Sequence, residues 1–202
     1  MSLREEALEE IRTAISVGDL GEDRIFSAAG LAKTLGMSLS PVREAMMSLV
    51  ADGTVEAVPN RGYRLAPVTP EDLEEILTLR RLLAGPAVVA LCEVRDPQVV
   101  EVLRGAAAAA VTAAEAGDRK SFFAADRMFH ALLLEHGLGA RAAAIGLHLR
   151  DQSRTVDAAE APGSPADAES AAQLVDLVEL VGEGRADEAR ALVEENLGYF
   201  EG

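Results

Sequence analysis

The sequence predicts a mainly α-helical chain in which three helices and a two-stranded ribbon precede an all-helical bundle. Two observations predict the ribbon: apolar and polar residues alternate over Thr54–Val58 and again over Tyr63–Leu65. The turn-forming residues Pro59–Gly62 lie between them, which indicates a hairpin. After residue 66 we find no strand pattern, and apolar residues recur at helical spacing. The segments expected are a domain at 1–66, a linker at 67–71 and a helical domain at 72–202.

The three N-terminal helices have recognisable start and stop signals. An amphipathic pattern near the N-terminus predicts the first helix, and Ser27 is the residue type that caps the second, which Gly36 ends. Ser38 or Ser40 caps the third helix, and Pro41 lies in its first turn, where its missing N–H costs nothing. Two helices joined by a short glycine-containing turn form a helix-turn-helix, and the hairpin that follows makes it a winged one.

Only helices are expected after the linker. A long helix over Asp72–Ala90 should kink at Gly85-Pro86, because proline lacks the N–H that the helix needs. The stretch Ala158–Ala168 is rich in small residues and proline, so we expect a loop there. The other helices are expected at about 97–116, 119–136, 139–156, 168–182 and 186–200.

Composition excludes several classes of protein. The chain has 202 residues, of which 49% are hydrophobic, and this argues against disorder. Cys92 is the single cysteine, so an internal disulfide is impossible and a reducing, cytoplasmic location fits. The longest uncharged apolar stretches, Leu82–Cys92 and Gly105–Ala114, are shorter than the roughly 18–20 residues of a membrane span. We therefore expect a cytoplasmic protein without a membrane partner.

The negative charge is concentrated in the second part of the chain. The formal net charge is −15 overall, but it is −3 for residues 1–66 and +1 for residues 31–66. A neutral-to-basic patch on an acidic body can still bind DNA, with modest non-specific affinity.

Two sets of motifs identify a family. The segment SLSPVREA is followed by an L-x-x-x-G-x-V pattern and by PNRG, and this series resembles the winged-helix domain of GntR-type bacterial transcriptional regulators. EDLEEILTLR at 71–80, DRMFH at 126–130 and the closing segment at 184–197 resemble the FCD domain of the FadR-like branch. The resemblance covers roughly residues 3–200. It implies an effector-responsive DNA-binding repressor or activator, of which a repressor is favoured, that binds a palindromic operator as a homodimer. An enzyme is not expected.

The resemblance also implies which residues contact DNA. The third helix would lie in the major groove, and the missing side chain at the wing tip would let the backbone approach the minor groove. A solvated charge beside Glu44 is the alternative for Arg43, and a solvated charge is likewise the alternative for Lys33. The contacts carried over are Lys33, Ser38, Ser40, Arg43, Arg61 and Gly62.

The DNA-reading segment departs from the family pattern at three places. Leu39 stands where an arginine is usual between the two hydroxyl residues, Ala29-Gly30 where another arginine or polar residue is common, and Glu22-Asp23 where a Pro-Gly turn is usual. Each arginine that makes a bidentate base contact contributes about 1–3 kcal/mol. We expect weaker DNA binding or an unusual operator, and the alternative is a sensor protein whose DNA-reading helix has degenerated.

A metal site is incomplete in the helical domain. Asp126 and His130 are four residues apart, which is the spacing of two ligands on one helix face. The family adds two histidines, and those positions are Leu174 and Asn196, neither of which is a good zinc ligand. We therefore expect Asp126 and His130 to hydrogen-bond each other inside the bundle, with a divalent metal as the alternative.

Arg80 matches a family arginine that points into the effector pocket. The usual acidic residue four positions later is Ala84, so the charge of Arg80 is either available to an anionic effector or solvated. A hydrolase built on Asp126 and His130 is the enzymatic alternative, but the chain has no G-x-S-x-G motif and only three histidines. The implied effector-binding residues are Arg80, Asp126, His130, Leu174 and Asn196.

Overall fold

The computed structural model describes residues 2–16, 18–20, 24–153 and 165–198. Within this part of the chain it contains α-helices and one two-stranded antiparallel sheet, so the predicted fold class is confirmed. The chain divides into two compact units, residues 1–69 with 151–159 and residues 70–150 with 160–202. The N-terminal elements are α1 (Leu3–Ser16), α2 (Ala28–Leu35), α3 (Leu39–Ala51), β1 (Val55–Val58) and β2 (Gly62–Leu65). The remaining helices are α4 (Pro70–Val94), α5 (Pro97–Glu115), α6 (Arg119–Leu138), α7 (Ala140–Ser153), α8 (Pro165–Glu183) and α9 (Ala186–Leu197).

Local capping sets the turn between α2 and α3. The side chain of Ser27 accepts a hydrogen bond from the N–H of Gly30 at 3.0 Å, as predicted for an N-cap. Gly36 ends α2 in the left-handed region, with φ of +66°. Ser38 occupies the N-cap position of α3, although its side chain makes no capping hydrogen bond with the described residues. Ser40 lies inside the first turn, so of the two serines Ser38 is the N-cap.

One apolar core holds α1, α2, α3 and the hairpin together. Residues spaced three and four apart on α3 face this core, which turns the opposite side of the helix outward. Burying each large side chain in it is worth about 1.5–3 kcal/mol relative to leaving it exposed. The large members of the core are Ile11, Ile15, Leu31, Val42, Met46, Leu49, Val55 and Leu65.

The hairpin that forms the wing pairs Val55 with Leu65 and Val58 with Gly62. Its three-residue turn has Asn60 in the left-handed region at φ of +59°. The N–H of Arg61 donates to the carbonyl of Val58 at 3.0 Å, which closes the turn. The short strands are therefore anchored by their pairing and by the buried ends of the hairpin.

Proline accounts for two differences between the predicted and the observed helices. α4 begins at Pro70, two residues before its predicted start, and α8 begins at Pro165, three residues before its predicted start. Proline is well suited to the first turn of a helix, because the N–H that it lacks has no intrahelical partner there. The loop prediction is thus wrong over 165–168, while 158–164 lies outside the described residues. α4 is continuous through Pro86, and the kink expected there stays a prediction.

The second unit is built from α4 to α9 around a separate apolar core. Within the described residues, no helix is long and apolar enough to cross a membrane. The predicted helix ends beyond Ser153 and Gly198, like the turn at Glu22-Asp23, fall on residues outside the described ranges. Large side chains in this core include Leu77, Val88, Leu103, Phe122, Phe129, Leu133, Leu174, Leu177 and Val193.

Candidate DNA-reading surface and sensor site

The outer face of α3 carries the predicted DNA contacts. Ser38, Ser40 and Arg43 are all exposed within the first turns of the helix. Arg43 forms no ion pair among the described residues, whereas Glu44 accepts a hydrogen bond from the Ser40 hydroxyl at 3.3 Å. The charge of Arg43 is therefore not offset by its neighbour and is available to a phosphate or a base.

Exposed cations are also present on α2 and in the hairpin turn. Lys33 on α2 and Arg61 in the hairpin turn are exposed, and neither has an ion pair within the part of the chain that the structure describes. Arg64 differs from them because it pairs across the hairpin with Glu56. The first unit thus carries exposed cations whose charge the described residues do not offset, at Lys33, Arg43 and Arg61. We refer to these three as the cation set.

Gly62 has a packing reason for being glycine. Phe26 and Tyr63 exchange two backbone hydrogen bonds of 2.9 Å, which brings the chain before α2 against the hairpin. A Cβ atom on Gly62 would lie 2.5 Å from the Phe26 carbonyl oxygen, and φ of +131° is itself unfavourable for other residues. The missing side chain therefore makes room for Phe26, while a contact of Gly62 with DNA stays a prediction.

In the second unit, Asp126 and His130 are buried together on α6. The Nδ1 atom of His130 lies 2.9 Å from the backbone oxygen of Asp126 and 3.5 Å from its carboxylate. A carbonyl can only accept, so Nδ1 carries the proton and donates, and Nε2 is left as an acceptor. Nε2 is buried and has no hydrogen-bond partner among the described residues. The predicted bond between the two side chains is therefore made mainly to the backbone of Asp126.

The imidazole of His130 is neutral at physiological pH. Burial lowers its pKa to about 4, and the nearby positive charges of Arg80 and Arg150 add to this effect. The Asp126 carboxylate opposes the shift but does not overcome it.

Arg150 completes the buried cluster, although it is not among the residues predicted from the sequence. Its guanidinium donates through Nε and Nη2 to one carboxylate oxygen of Asp126, at 3.2 and 2.5 Å, and through Nη2 to the Phe123 carbonyl at 3.2 Å. Both members of the ion pair have side chains that are only 1% exposed. The available signal was position, because Arg150 follows Ala143 and Gly146 at the spacing of the buried face of α7.

These residues do not fit a divalent metal. The Asp126 carboxylate is held by a guanidinium, and two arginines lie close enough to His130 to lower its pKa. Asn196 donates its amide hydrogens to the backbone and hydroxyl oxygens of Ser170, both at 3.2 Å, and to Gln173. Over the described ranges there is no group of three or more histidine, cysteine or acidic residues that could hold a metal ion.

Arg80 lies inside the bundle rather than at its surface. It is only 5% exposed, so the alternative that its charge is solvated is wrong. Arg80, His130 and Arg150 line a small cavity together with apolar residues, and Leu174 and Asn196 are not among its lining residues. The space open to the centre of a water molecule is about 10 Å³, which is room for about one water. An effector larger than water therefore has to displace side chains to enter.

Two family models together match most of the chain. The model described as bacterial regulatory proteins, gntR family, matches residues 3–65, and the model of the FCD domain matches residues 75–198. The chain belongs to the gntR family and carries an FCD domain. This confirms the resemblance inferred from the motifs, and it makes the protein a DNA-binding transcriptional regulator that responds to an effector.

Relatives of this GntR protein are regulators as well. An uncharacterized HTH-type transcriptional regulator in the TAR-I ttuE-ttuC' intergenic region of Agrobacterium vitis is 36% identical over 131 residues, 63% of this chain and 77% of that protein. A probable D-xylose utilization operon transcriptional repressor of Paenarthrobacter nicotinovorans is 37% identical over 100 residues, 50% of this chain and 44% of that protein. The expectation that the chain is not an enzyme is confirmed by this family membership.

The fold is also found in a solved structure. The structure of E. coli McbR/YncC superposes with a TM-score of 0.81, covering 98% of this chain and 94% of that one. The two sequences are 22% identical over this match, so the likeness concerns the fold alone.

Proposed function

We propose that this GntR regulator represses transcription by binding a palindromic operator as a homodimer, and that an anionic effector bound in the FCD domain changes its affinity for DNA. The observation that carries the DNA-binding part is the cation set, whose members are exposed on α2, on α3 and in the hairpin turn. Lys33, Arg43 and Arg61 would contact phosphates and bases, with Ser38 and Ser40 positioned at the start of α3. Gly62 stays in the proposed interface as the neighbour of Arg61.

Two-fold symmetry supports the palindromic operator. A dimer with one winged helix per subunit would match two half-sites related by the same symmetry. We infer a cytoplasmic location from the proposed DNA target. Analytical ultracentrifugation at micromolar concentration tests the dimer, and a monomer on its own and on DNA would contradict it.

Arg80 supports an anionic effector. It lies beside His130 and Arg150 in the cavity of the FCD domain, and its planar guanidinium is suited to bind a carboxylate or phosphate. Asp126, His130, Leu174 and Asn196 remain in the proposal as residues of the surrounding core. Effector binding can change DNA affinity only by its preference for one of two conformations, which typically amounts to about 5- to 150-fold.

Fluorescence anisotropy on the upstream intergenic DNA tests the DNA-binding part. The protein is titrated at about 50 and about 200 mM salt with unrelated DNA as competitor, and selective binding with a steep salt slope is expected. Arg43→Ala and Arg61→Ala should each weaken binding. The slope of the logarithm of affinity against the logarithm of salt concentration should fall by about one for each phosphate that a subunit no longer neutralises. Arg64→Ala is the matched control, because Glu56 already offsets that charge, and it should have a smaller effect.

A sensor protein with a degenerated DNA-reading helix is the second candidate, favoured by Leu39 at the start of α3. It predicts weak binding that ignores sequence, and in that case Arg43→Ala would leave expression of the target unchanged. A thermal-shift panel of acetate, succinate, citrate and inorganic phosphate, with Arg80→Gln for comparison, addresses the effector separately. Shifts that survive in Arg80→Gln would contradict the role of Arg80.

A further inference from the structure

Leu39 is an exposed apolar residue in the polar start of α3. It is the first residue of the helix, is 40% exposed, and has the exposed Ser38 and Ser40 as neighbours. Arg43 follows one turn later on the same face, and Met47, which is 54% exposed, a turn after that.

The core of the first unit gives no reason for a leucine at this position. α3 contributes Val42, Met46 and Leu49 to that core, whereas Leu39 belongs neither to the core nor to the partly buried residues packed against it. Helix propensity gives no reason either, because the first position of a helix is well filled by many residue types, proline included. The side chain is therefore available to whatever α3 contacts.

The major groove offers a leucine one kind of partner. The first residues of a recognition helix reach base edges, and those edges carry donors and acceptors except for the C5-methyl group of thymine. A leucine cannot satisfy the acceptors of guanine and would remove them from water, which is unfavourable. The thymine methyl has no such requirement and gains from the contact.

We propose that Leu39 packs against the C5-methyl group of one thymine in each half-site and so sets the base preference at that position. The proposal rests on the proposed DNA binding by α3. It gives the departure from arginine a specific consequence: an arginine there would favour guanine, whereas the leucine favours thymine.

Replacement of thymine by deoxyuridine tests this contact, because the two differ only in the methyl group. A preferred site is first selected from random DNA with the full-length protein. Each symmetry-related pair of thymines is then replaced in turn, and binding is measured by anisotropy. Removing one buried methyl per half-site should weaken binding about 4-fold for each methyl, or about 15-fold for the pair.

Two variants show whether Leu39 makes the contact. In Leu39→Ala the loss of affinity on deoxyuridine replacement should disappear at one pair of thymines and stay unchanged at the others, which serve as internal controls. Leu39→Arg should select guanine at that position. Leu39 is exposed, so both variants should keep the far-UV circular dichroism spectrum of the parent protein.

The outcomes separate the inference from the function on which it depends. Sequence-selective binding that is indifferent to every deoxyuridine replacement overturns the role of Leu39 and leaves the regulator intact. The role of Leu39 is also overturned if deoxyuridine replacement weakens the binding of Leu39→Ala by the same factor at every pair of thymines, because no single pair then depends on Leu39. If the parent protein shows no sequence-selective binding, the proposed function fails and the inference fails with it.

Discussion

Replacing Arg150 by methionine should strongly destabilise the FCD domain. The substitution removes the guanidinium that binds Asp126 and leaves a carboxylate in a site where the side chain is only 1% exposed. Breaking a buried ion pair on one side typically costs about 3–5 kcal/mol, because the remaining charge loses its compensation. At about 2–4 °C per kcal/mol for a chain of this size, the unfolding midpoint should fall by roughly 6–20 °C.

A double variant distinguishes the loss of charge compensation from the loss of packing. Asp126→Leu combined with Arg150→Met replaces both charges by apolar groups, which is often neutral or stabilising. We therefore expect the double variant to recover most of the stability lost in Arg150→Met. Arg104→Met is the matched control, because Arg104 pairs with Glu179 at the surface and its loss should change stability little.

Urea denaturation followed by far-UV circular dichroism measures these differences, since the chain has no tryptophan to report by fluorescence. Unfolding is fitted with two transitions if the two units unfold separately. A loss of less than about 1 kcal/mol in Arg150→Met would refute the reasoning, because exposed pairs typically contribute no more than that. A double variant no more stable than Arg150→Met would show that packing around Arg150, rather than charge, holds the cluster.

Three further predictions concern pH, the wing and metal. The pKa of His130 is about 4 in the folded chain and about 6.5 when unfolded. The contribution of this shift to the free energy of unfolding is therefore complete above about pH 6.5 and is lost as the pH falls towards 4. In urea titrations over this pH range the free energy of unfolding of the parent protein should fall by about 3 kcal/mol more than that of His130→Gln. Equal losses in the two proteins would contradict the lowered pKa of His130. Gly62→Ala should destabilise the first unit by about 1–3 kcal/mol, because its Cβ would meet Phe26, whereas Gly105→Ala, where the structure leaves space, should be tolerated. EDTA and added Zn²⁺ should leave the melting temperature unchanged, and mass spectrometry that finds one metal ion per purified chain would contradict the account of Arg150.

Local signals in the sequence predicted the first unit well. The Ser27 cap, the left-handed Gly36 and the alternating strands all act over a few residues, so they can be read without knowing the rest of the structure. The starts of α4 and α8 lie earlier than the apolar pattern predicts, because each of these helices begins with a proline that precedes its first apolar repeat.

The sensor cluster could not be predicted to the same extent. Asp126 and His130 are on one helix, and their spacing indicates a shared face. Arg150 comes from a different helix 24 residues later, and spacing along the sequence does not tell which carboxylate it meets. Gly62 is a similar case, because the carbonyl that requires a glycine belongs to Phe26 on a distant part of the chain.

Binding of an effector at the proposed site, the small cavity in the FCD domain, would have a kinetic consequence. This proposed site has room for about one water, so we expect the bundle to open before an effector binds there. The apparent affinity is then the intrinsic affinity reduced by the fraction of open molecules. In stopped-flow experiments the observed rate of effector binding should level off at high effector concentration, with a ceiling equal to the opening rate of the bundle.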